Sequence, residues 1–307
     1  NSNATDNYPD SEARCIYTLL MAIPDTLNKL KQFSIILHGI FKTFHYDYMK
    51  TGQVVDEKSG MLAIFNELSQ EALKLTMELN NKYHTPQEIV EIFSAITGKN
   101  VDKSFRLFPP FYTDCGKNIT VGKNVFINSC CKFQDQGGID IGDGVLIGHN
   151  VTLATLNHDE RPEKRQDIYP KPIYIGNNVW MASGVEFITH DVTHYMLNRM
   201  NDGHKYTEKI GCIEVGNNVF IGADVKILYD VKIGDNVIIA AGALVNKDVP
   251  SDSVVAGVPA RRIASFDEYI EKRRKFSLDN PADNMKQTVS SKCEEELWNK
   301  FKEQRMS

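Results

Sequence analysis

The sequence predicts a mainly β protein organised around a parallel β-helix, a chain wound in short flat rungs into a triangular prism. Three observations carry that expectation. From Val121 to Val249 an aliphatic lead residue recurs in a six-residue unit, through Val121, Ile127 and Phe133, then Ile141, Ile147 and Leu153, then Ile175, Met181 and Phe187. The series continues with Val215, Ile221 and Ile227 and closes with Ile233, Ile239 and Val245, so three units make an 18-residue turn and the stretch holds five turns. A fixed short period of this kind marks a solenoid. Small residues usually follow the lead, and corners such as Gly176-Asn177-Asn178, Gly216-Asn217-Asn218 and Gly234-Asp235-Asn236 use residues that tolerate positive φ. Stacked turns ~4.8 Å apart would hydrogen-bond into three walls around an aliphatic core.

Taken in order, residues 11–50 read as helix, with Leu27, Leu30, Ile36, Leu37, Ile40, Phe41 and Phe44 at helical spacing. Its apolar part is too short to span a bilayer, and an apolar face packed on a partner surface is the commoner use of such a stripe. A second helix is expected over 56–81. A third runs from Thr85-Pro86-Gln87-Glu88, with Thr at the N-cap, Pro next and Glu at the third position, to Gly98. Phe108 to Asp114 reads as an extended lead-in to the coil. Val255 to Arg261 reads as the exit that ends the stacking. A charged tail follows, with helices expected at 266–276 and 292–305 to cover the open end. The expected division is a helical segment over 1–107, the coil domain over 108–262 and the tail over 263–307.

Composition narrows the function. The chain has 307 residues, 42% of them hydrophobic, and a net charge of −5, which gives no electrostatic reason to bind nucleic acid. The six cysteines, Cys15, Cys115, Cys130, Cys131, Cys212 and Cys293, contain no Cys-x-x-Cys pair. This argues against a disulfide framework or a cysteine zinc site and for a reducing compartment. No basic region precedes an apolar run near the start, so no signal peptide is expected, and the expected location is cytoplasmic.

Two long excursions interrupt the repeat, after Leu153 and after Phe187. One opens with Asn157-His158-Asp159 and the other with Thr189-His190-Asp191. A regular solenoid gains nothing from a polar loop at one corner, so such loops tend to carry function. Both histidines fall in the third unit of their turn, which predicts one edge, one turn apart.

The segments PPFYTDCGKNITVG, FINSCCKFQDQGGIDIGDGVLIG, PIYIGNNVW, IGDNVIIAAGALVNKDV and VVAGVPAR, with the His158 loop, resemble the hexapeptide-repeat acyltransferases over roughly residues 58–262. The similarity is greatest to the maltose, galactoside and virginiamycin O-acetyltransferase branch. It implies a left-handed coil, a homotrimer with sites between neighbouring subunits, and acetyl-CoA as donor with no metal. By position, His158 matches the catalytic base, a role suited to an imidazole. Asp114, Asn128 and Asp135 match acceptor-side positions. Trp180, Ser183, Ala241, Lys247 and Arg261 match the donor side, flanking the pantetheine arm and the phosphates.

Two departures stand out. Ala63 takes the place of an acceptor-binding Asp. The cassette from Phe187 to Val215 is inserted where those enzymes go directly to the closing turns, and its Thr189-His190-Asp191 resembles the catalytic His of acetyltransferases acting on capsular or cell-surface polysaccharides. Either His158 or His190 could therefore be the base. The resulting expectation is O-acetylation of a sugar or polysaccharide-precursor hydroxyl by direct transfer in a ternary complex. The alternatives are a zinc hydratase similar to γ-class carbonic anhydrases, drawing on His149, His158, His190 and His194, a non-catalytic trimeric binding module, and N-acetylation of an amino sugar.

Overall fold

The lead residues stack as the period requires. In the computed structural model, which describes residues 54–56, 61–159, 161–279 and 291–306, parallel strands form three walls. In the first, Val121, Ile141, Ile175, Val215 and Ile233 lie in register, one above the next. The second aligns Ile127, Ile147, Met181, Ile221 and Ile239, and the third Phe133, Leu153, Phe187, Ile227 and Val245. All these side chains are buried in one aliphatic core except Val121, which packs against its edge.

The coil is longer than the period shows. Arg106–Leu107 pairs with Phe126–Ile127, and Phe111–Thr113 pairs with Cys131–Phe133, so the expected lead-in already holds one rung and a further rung precedes it. Pro109 and Pro110 occupy the corner between them, which hides the small-residue signature. At the other end Ser253–Val255 adds a further rung beneath Val237–Ile239. The parallel stack therefore runs to Val255, the first residue of the expected exit. Stacking stops where Arg261–Ser265 folds back antiparallel on Ser253–Ala256.

Glycine and asparagine divide the work at the corners. The left-handed conformation falls three residues after the lead, at Asn124, Gly144, Asn178, Asn218, Asn236 and Asp252 along the first edge. The glycine directly after the lead answers to close stacking instead. A Cβ on Gly176 would come within 2.6 Å of the Gly216 carbonyl oxygen. Side-chain oxygens also cap the amides of the coil above: Asp143 N–H donates to Asn177 Oδ1 at 2.8 Å, Asn177 N–H to Asn217 Oδ1 at 2.8 Å and Asn217 N–H to Asp235 Oδ1 at 2.6 Å. Gly176→Ala is expected to destabilise the protein by about 1–3 kcal/mol, the usual cost of overpacking, measured as a lower urea midpoint at unchanged m-value.

Helices close the upper end. Met61–Asn81 and Pro86–Thr97 pack on each other and on the first rungs. Thr85 accepts from Glu88 N–H while Glu88 accepts from Thr85 N–H, and Gly98 ends the helix at φ 67°, as its sequence requires. Buried Phe93 stacks on Phe105 at 4.4 Å and meets Phe111 edge-on, continuing the core out of the prism. Lys117 Nζ donates to the Ala95 and Ile96 carbonyls at the helix C-terminus, where a cation is favoured. The expected helix over 11–50 lies outside the described residues. In the tail, Phe266–Asp279 and Ser291–Met306 are helical. No helix among the described residues is long and apolar enough to cross a membrane.

Candidate active site

Both excursions leave the third wall at the same edge. Thr155 N–H bonds the Gln134 carbonyl above it, and Thr189 N–H bonds the Ala154 carbonyl, so these two residues stack one coil apart. The first excursion is a hairpin in which Leu156–His158 pairs antiparallel with Ile168–Pro170. Its back is covered by Val55, which exchanges two 2.9 Å backbone bonds with Ile168. Val55, Leu156 and Ile168 bury each other, and Leu62 and Phe65 pack on them. The hairpin that carries His158 thus has its own small core.

His158 itself is exposed, and its Nδ1 lies 3.0 Å from the Arg165 carbonyl oxygen. A carbonyl can only accept, so Nδ1 carries a proton and donates. In the neutral ring this leaves Nε2 as a free acceptor, the state a general base needs. Beside it Asp159 binds Arg161 at both carboxylate oxygens, 2.8 Å from Nε and 2.6 Å from Nη2, and also accepts from Tyr169 Oη at 2.7 Å. The Arg161 bonds hold the Asp159 carboxyl well below the usual range.

The second excursion is a shorter hairpin, His190–Asp191 against Lys209–Ile210, carrying a helical turn at Thr193–Arg199. His190 follows its corner threonine by one residue, whereas His158 follows by three, so the two imidazoles do not occupy equivalent places. His190 is half-buried, and its Nδ1 is enclosed without a hydrogen-bond partner. Desolvation pushes its pKa down, against the pull of Asp191.

The two excursions are bonded to each other. Tyr195 Oη donates to the His158 carbonyl, and Asn157 Nδ2 donates to Tyr195 Oη at 3.1 Å and to Glu208 Oε1 at 2.6 Å. Between them lies a cleft of about 250 Å³ lined by His158, Tyr169, His194, Lys205, Tyr206 and Glu208 among others. His190 is not in its lining. No sequence signal pointed to Tyr195 or Glu208, since polar residues in an aperiodic loop carry no pattern.

The remaining expected site residues fall at two edges. Asp114 stands near His158 on the same edge and accepts from Gln136 Nε2 at 3.1 Å; desolvation pushes its carboxyl pKa up. Asp135 is a correction. It is fully buried, and Oδ1 accepts from Thr113 Oγ1 at 2.7 Å, Cys115 N–H at 2.9 Å and Gly116 N–H at 3.0 Å, while Oδ2 accepts from Asn118 N–H at 3.2 Å. It ties down the 113–118 turn, and an acceptor sugar has no access to it. Asn128 stands at the opposite edge of the third wall, where its amide bonds the Ile147 carbonyl. Exposed Trp180, Ser183 and Ala241 lie along that same edge or beside it, and exposed Arg261 lies just past its last rung. Exposed Lys247 follows the third wall's last strand.

One rung of the third wall, Cys131–Gln134, separates the two edges by about 13 Å at ~3.3 Å per residue. Hydrogen-bond reach is about 3 Å, so one protomer cannot bring its own Ser183 edge to its own His158. Of the histidines offered for zinc, His149 sits at the Ser183 edge with Nδ1 3.0 Å from Ser129 Oγ. Among the described residues no three His, Cys, Asp or Glu side chains gather as a metal site.

Comparison with known proteins places this geometry in a family. Residues 118–154 match the family model "Hexapeptide repeat of succinyl-transferase" and residues 213–247 match "Bacterial transferase hexapeptide (six repeats)". The galactoside O-acetyltransferase of Escherichia coli K12 is 31% identical over 196 residues, covering 63% of this chain and 77% of the relative. That of Lactococcus lactis is 29% identical over 218 residues, 68% of this chain and 86% of the relative. Among solved structures, a maltose O-acetyltransferase from Clostridium difficile 630 is 28% identical with a TM-score of 0.49, over 72% of this chain and 96% of that one. A galactoside acetyltransferase solved in complex with coenzyme A is 28% identical with a TM-score of 0.46, over 74% and 93%. With its rungs in register and its sequence alignable over most of a characterised relative, the chain is a left-handed parallel β-helix and belongs to the hexapeptide-repeat acetyltransferase family.

Proposed function

We propose that the protein is an acetyl-CoA-dependent O-acetyltransferase that acetylates a hydroxyl of a sugar or polysaccharide precursor, with His158 as general base. The observation that carries this reading is the His158 ring, held by the Arg165 carbonyl with Nε2 directed to accept, at the mouth of a polar cleft. The acceptor hydroxyl oxygen attacks the thioester carbon as its proton passes to Nε2. The C–S bond then breaks as the tetrahedral intermediate collapses, and the imidazolium returns the proton to the departing thiolate. Family membership supports acetyl-CoA as donor. Trp180, Ser183 and Ala241 would flank the pantetheine, with Lys247 and Arg261 at the phosphates and Asn128 and Asp114 on the acceptor side.

The separation of the two edges supports a site shared between protomers of a homotrimer, His158 from one facing the Trp180–Ser183 edge of the next. The free thiols of Cys115, Cys130, Cys131 and Cys212 are consistent with work in the reducing cytoplasm. The test is acetyl transfer from acetyl-CoA to a panel of sugars, with subunit mixing. His158→Ala and Trp180→Ala proteins, each impaired alone, should regain activity when dissociated and reassembled together, because some mixed interfaces then carry both intact residues. Absence of regain in mixtures shown to have exchanged subunits rules the shared site out.

A further inference from the structure

Building on the proposed acetyl transfer, we propose that the second excursion selects the acceptor: it holds one uncharged, pyranose-sized polyhydroxyl unit against His158, with Glu208 accepting a hydroxyl of that unit. The cleft that contains His158 is lined on one side by the first hairpin and on the other by residues 194–208 of the second excursion. Without the second excursion this side of His158 would be open.

Most polar groups in the lining are already committed. Arg161 and Tyr169 are both bonded to Asp159. Asn198 donates to the Tyr206 carbonyl at 3.1 Å and accepts from Tyr206 N–H at 2.8 Å, while Tyr206 Oη donates to Asp202 at 2.6 Å. These bonds give the excursion a fixed shape. Glu208 differs from them. It is half-buried in the cleft lining, where Oε1 accepts from Asn157 Nδ2 at 2.6 Å. Desolvation raises its pKa, against the pull of the Asn157 bond, and its second carboxylate oxygen leaves acceptor capacity for a hydroxyl in the cleft. A hydroxyl of a ligand seated in the cleft is the donor that this carboxylate is placed to meet.

Charge and size narrow the ligand. Asp159 and Arg161 neutralise each other within the lining, and Lys205 and Glu208 add one formal charge of each sign to it. The cleft therefore has no excess charge to attract a phosphorylated or carboxylated acceptor. At about 250 Å³ it lies just below the range of about 300–1,000 Å³ usual for small-molecule sites, so it suits a single ring rather than an oligosaccharide.

Glu208→Gln keeps the oxygen that accepts from Asn157 and removes the charge offered to the ligand. In the full-length protein with acetyl-CoA, we expect the KM for methyl galactoside or methyl glucoside to rise at least tenfold. The acetyl-CoA KM should stay within twofold, kcat within threefold, and the thermal midpoint unchanged. The penalty for monodeoxy analogues lacking the contacted hydroxyl should shrink in the variant. Calorimetric binding of the same glycosides in the presence of CoA gives a readout independent of turnover. Glycoside binding that is lost in Glu208→Gln while wild type transfers no acetyl group would sink the proposed reaction and leave this inference standing. Unchanged acceptor binding in the variant, an equal rise in the acetyl-CoA KM, or no glycoside binding by wild type overturns it.

Discussion

His158→Ala is expected to lower kcat by about 10²-fold or more, with the acetyl-CoA KM close to wild type. A positioned general base contributes about 10²–10⁴, and this one is positioned by its own backbone. The Arg165 carbonyl fixes the tautomer, Tyr195 holds the His158 carbonyl, and Val55 backs the hairpin. The ring lines the cleft between the two excursions, away from the edge proposed for the donor, so under that proposal donor affinity should survive its loss. His190→Ala is expected to stay within about tenfold of wild type. That imidazole is half-buried at the root of the second hairpin, outside the cleft, with one nitrogen enclosed by protein. Measurement of initial rates at saturating acetyl-CoA checks both variants. If the losses came in the reverse order, with His190→Ala inactive and His158→Ala active, the base would have to be reassigned.

Asp135→Ala is expected to cost more than about 3 kcal/mol of stability. Its carboxylate satisfies three backbone amides and a hydroxyl in a turn where Cys115, Gly116 and Asn118 are all buried. Leaving one buried donor unsatisfied costs about 1–3 kcal/mol, and alanine would orphan several together. Urea denaturation reads the loss directly. Any fall in activity should track the unfolded fraction, with the acceptor KM of the folded enzyme unchanged. A folded, stable Asp135→Ala protein with a raised acceptor KM would restore the acceptor-binding role that its position in the sequence suggests.

The coil was legible because its cause is local. A lead side chain every six residues must point inward, and Ile141, Ile175 and Val215 do so in the order the period gives. The helix over Pro86–Thr97 was legible for the same reason, since Thr85, Pro86, Glu88 and Gly98 each act within one turn. Rungs at either end escaped because Pro109 and Pro110 replace the corner signature and because Ser253–Ala256 breaks the spacing. Asp135 shows a different limit. Position alone marks it as an acceptor contact, but the neighbouring turn folds over it and donates three backbone amides and a hydroxyl to its carboxylate. The links from Tyr195 and Glu208 to the His158 strand span 37 and 51 residues, and nothing in a linear pattern encodes a pairing between two irregular loops.

The return strand Arg261–Ser265 fixes how long this molecule can be. A bare terminal coil is half of a ladder, and a second copy could extend it end to end into a filament. On the second wall that invitation is withdrawn: the last parallel rung is already bonded to a strand running the other way, which offers an incoming coil the wrong polarity. Arg261 and Arg262, both exposed, add like charges at the rim. Pairing of two copies through this end of the second wall is thereby disfavoured.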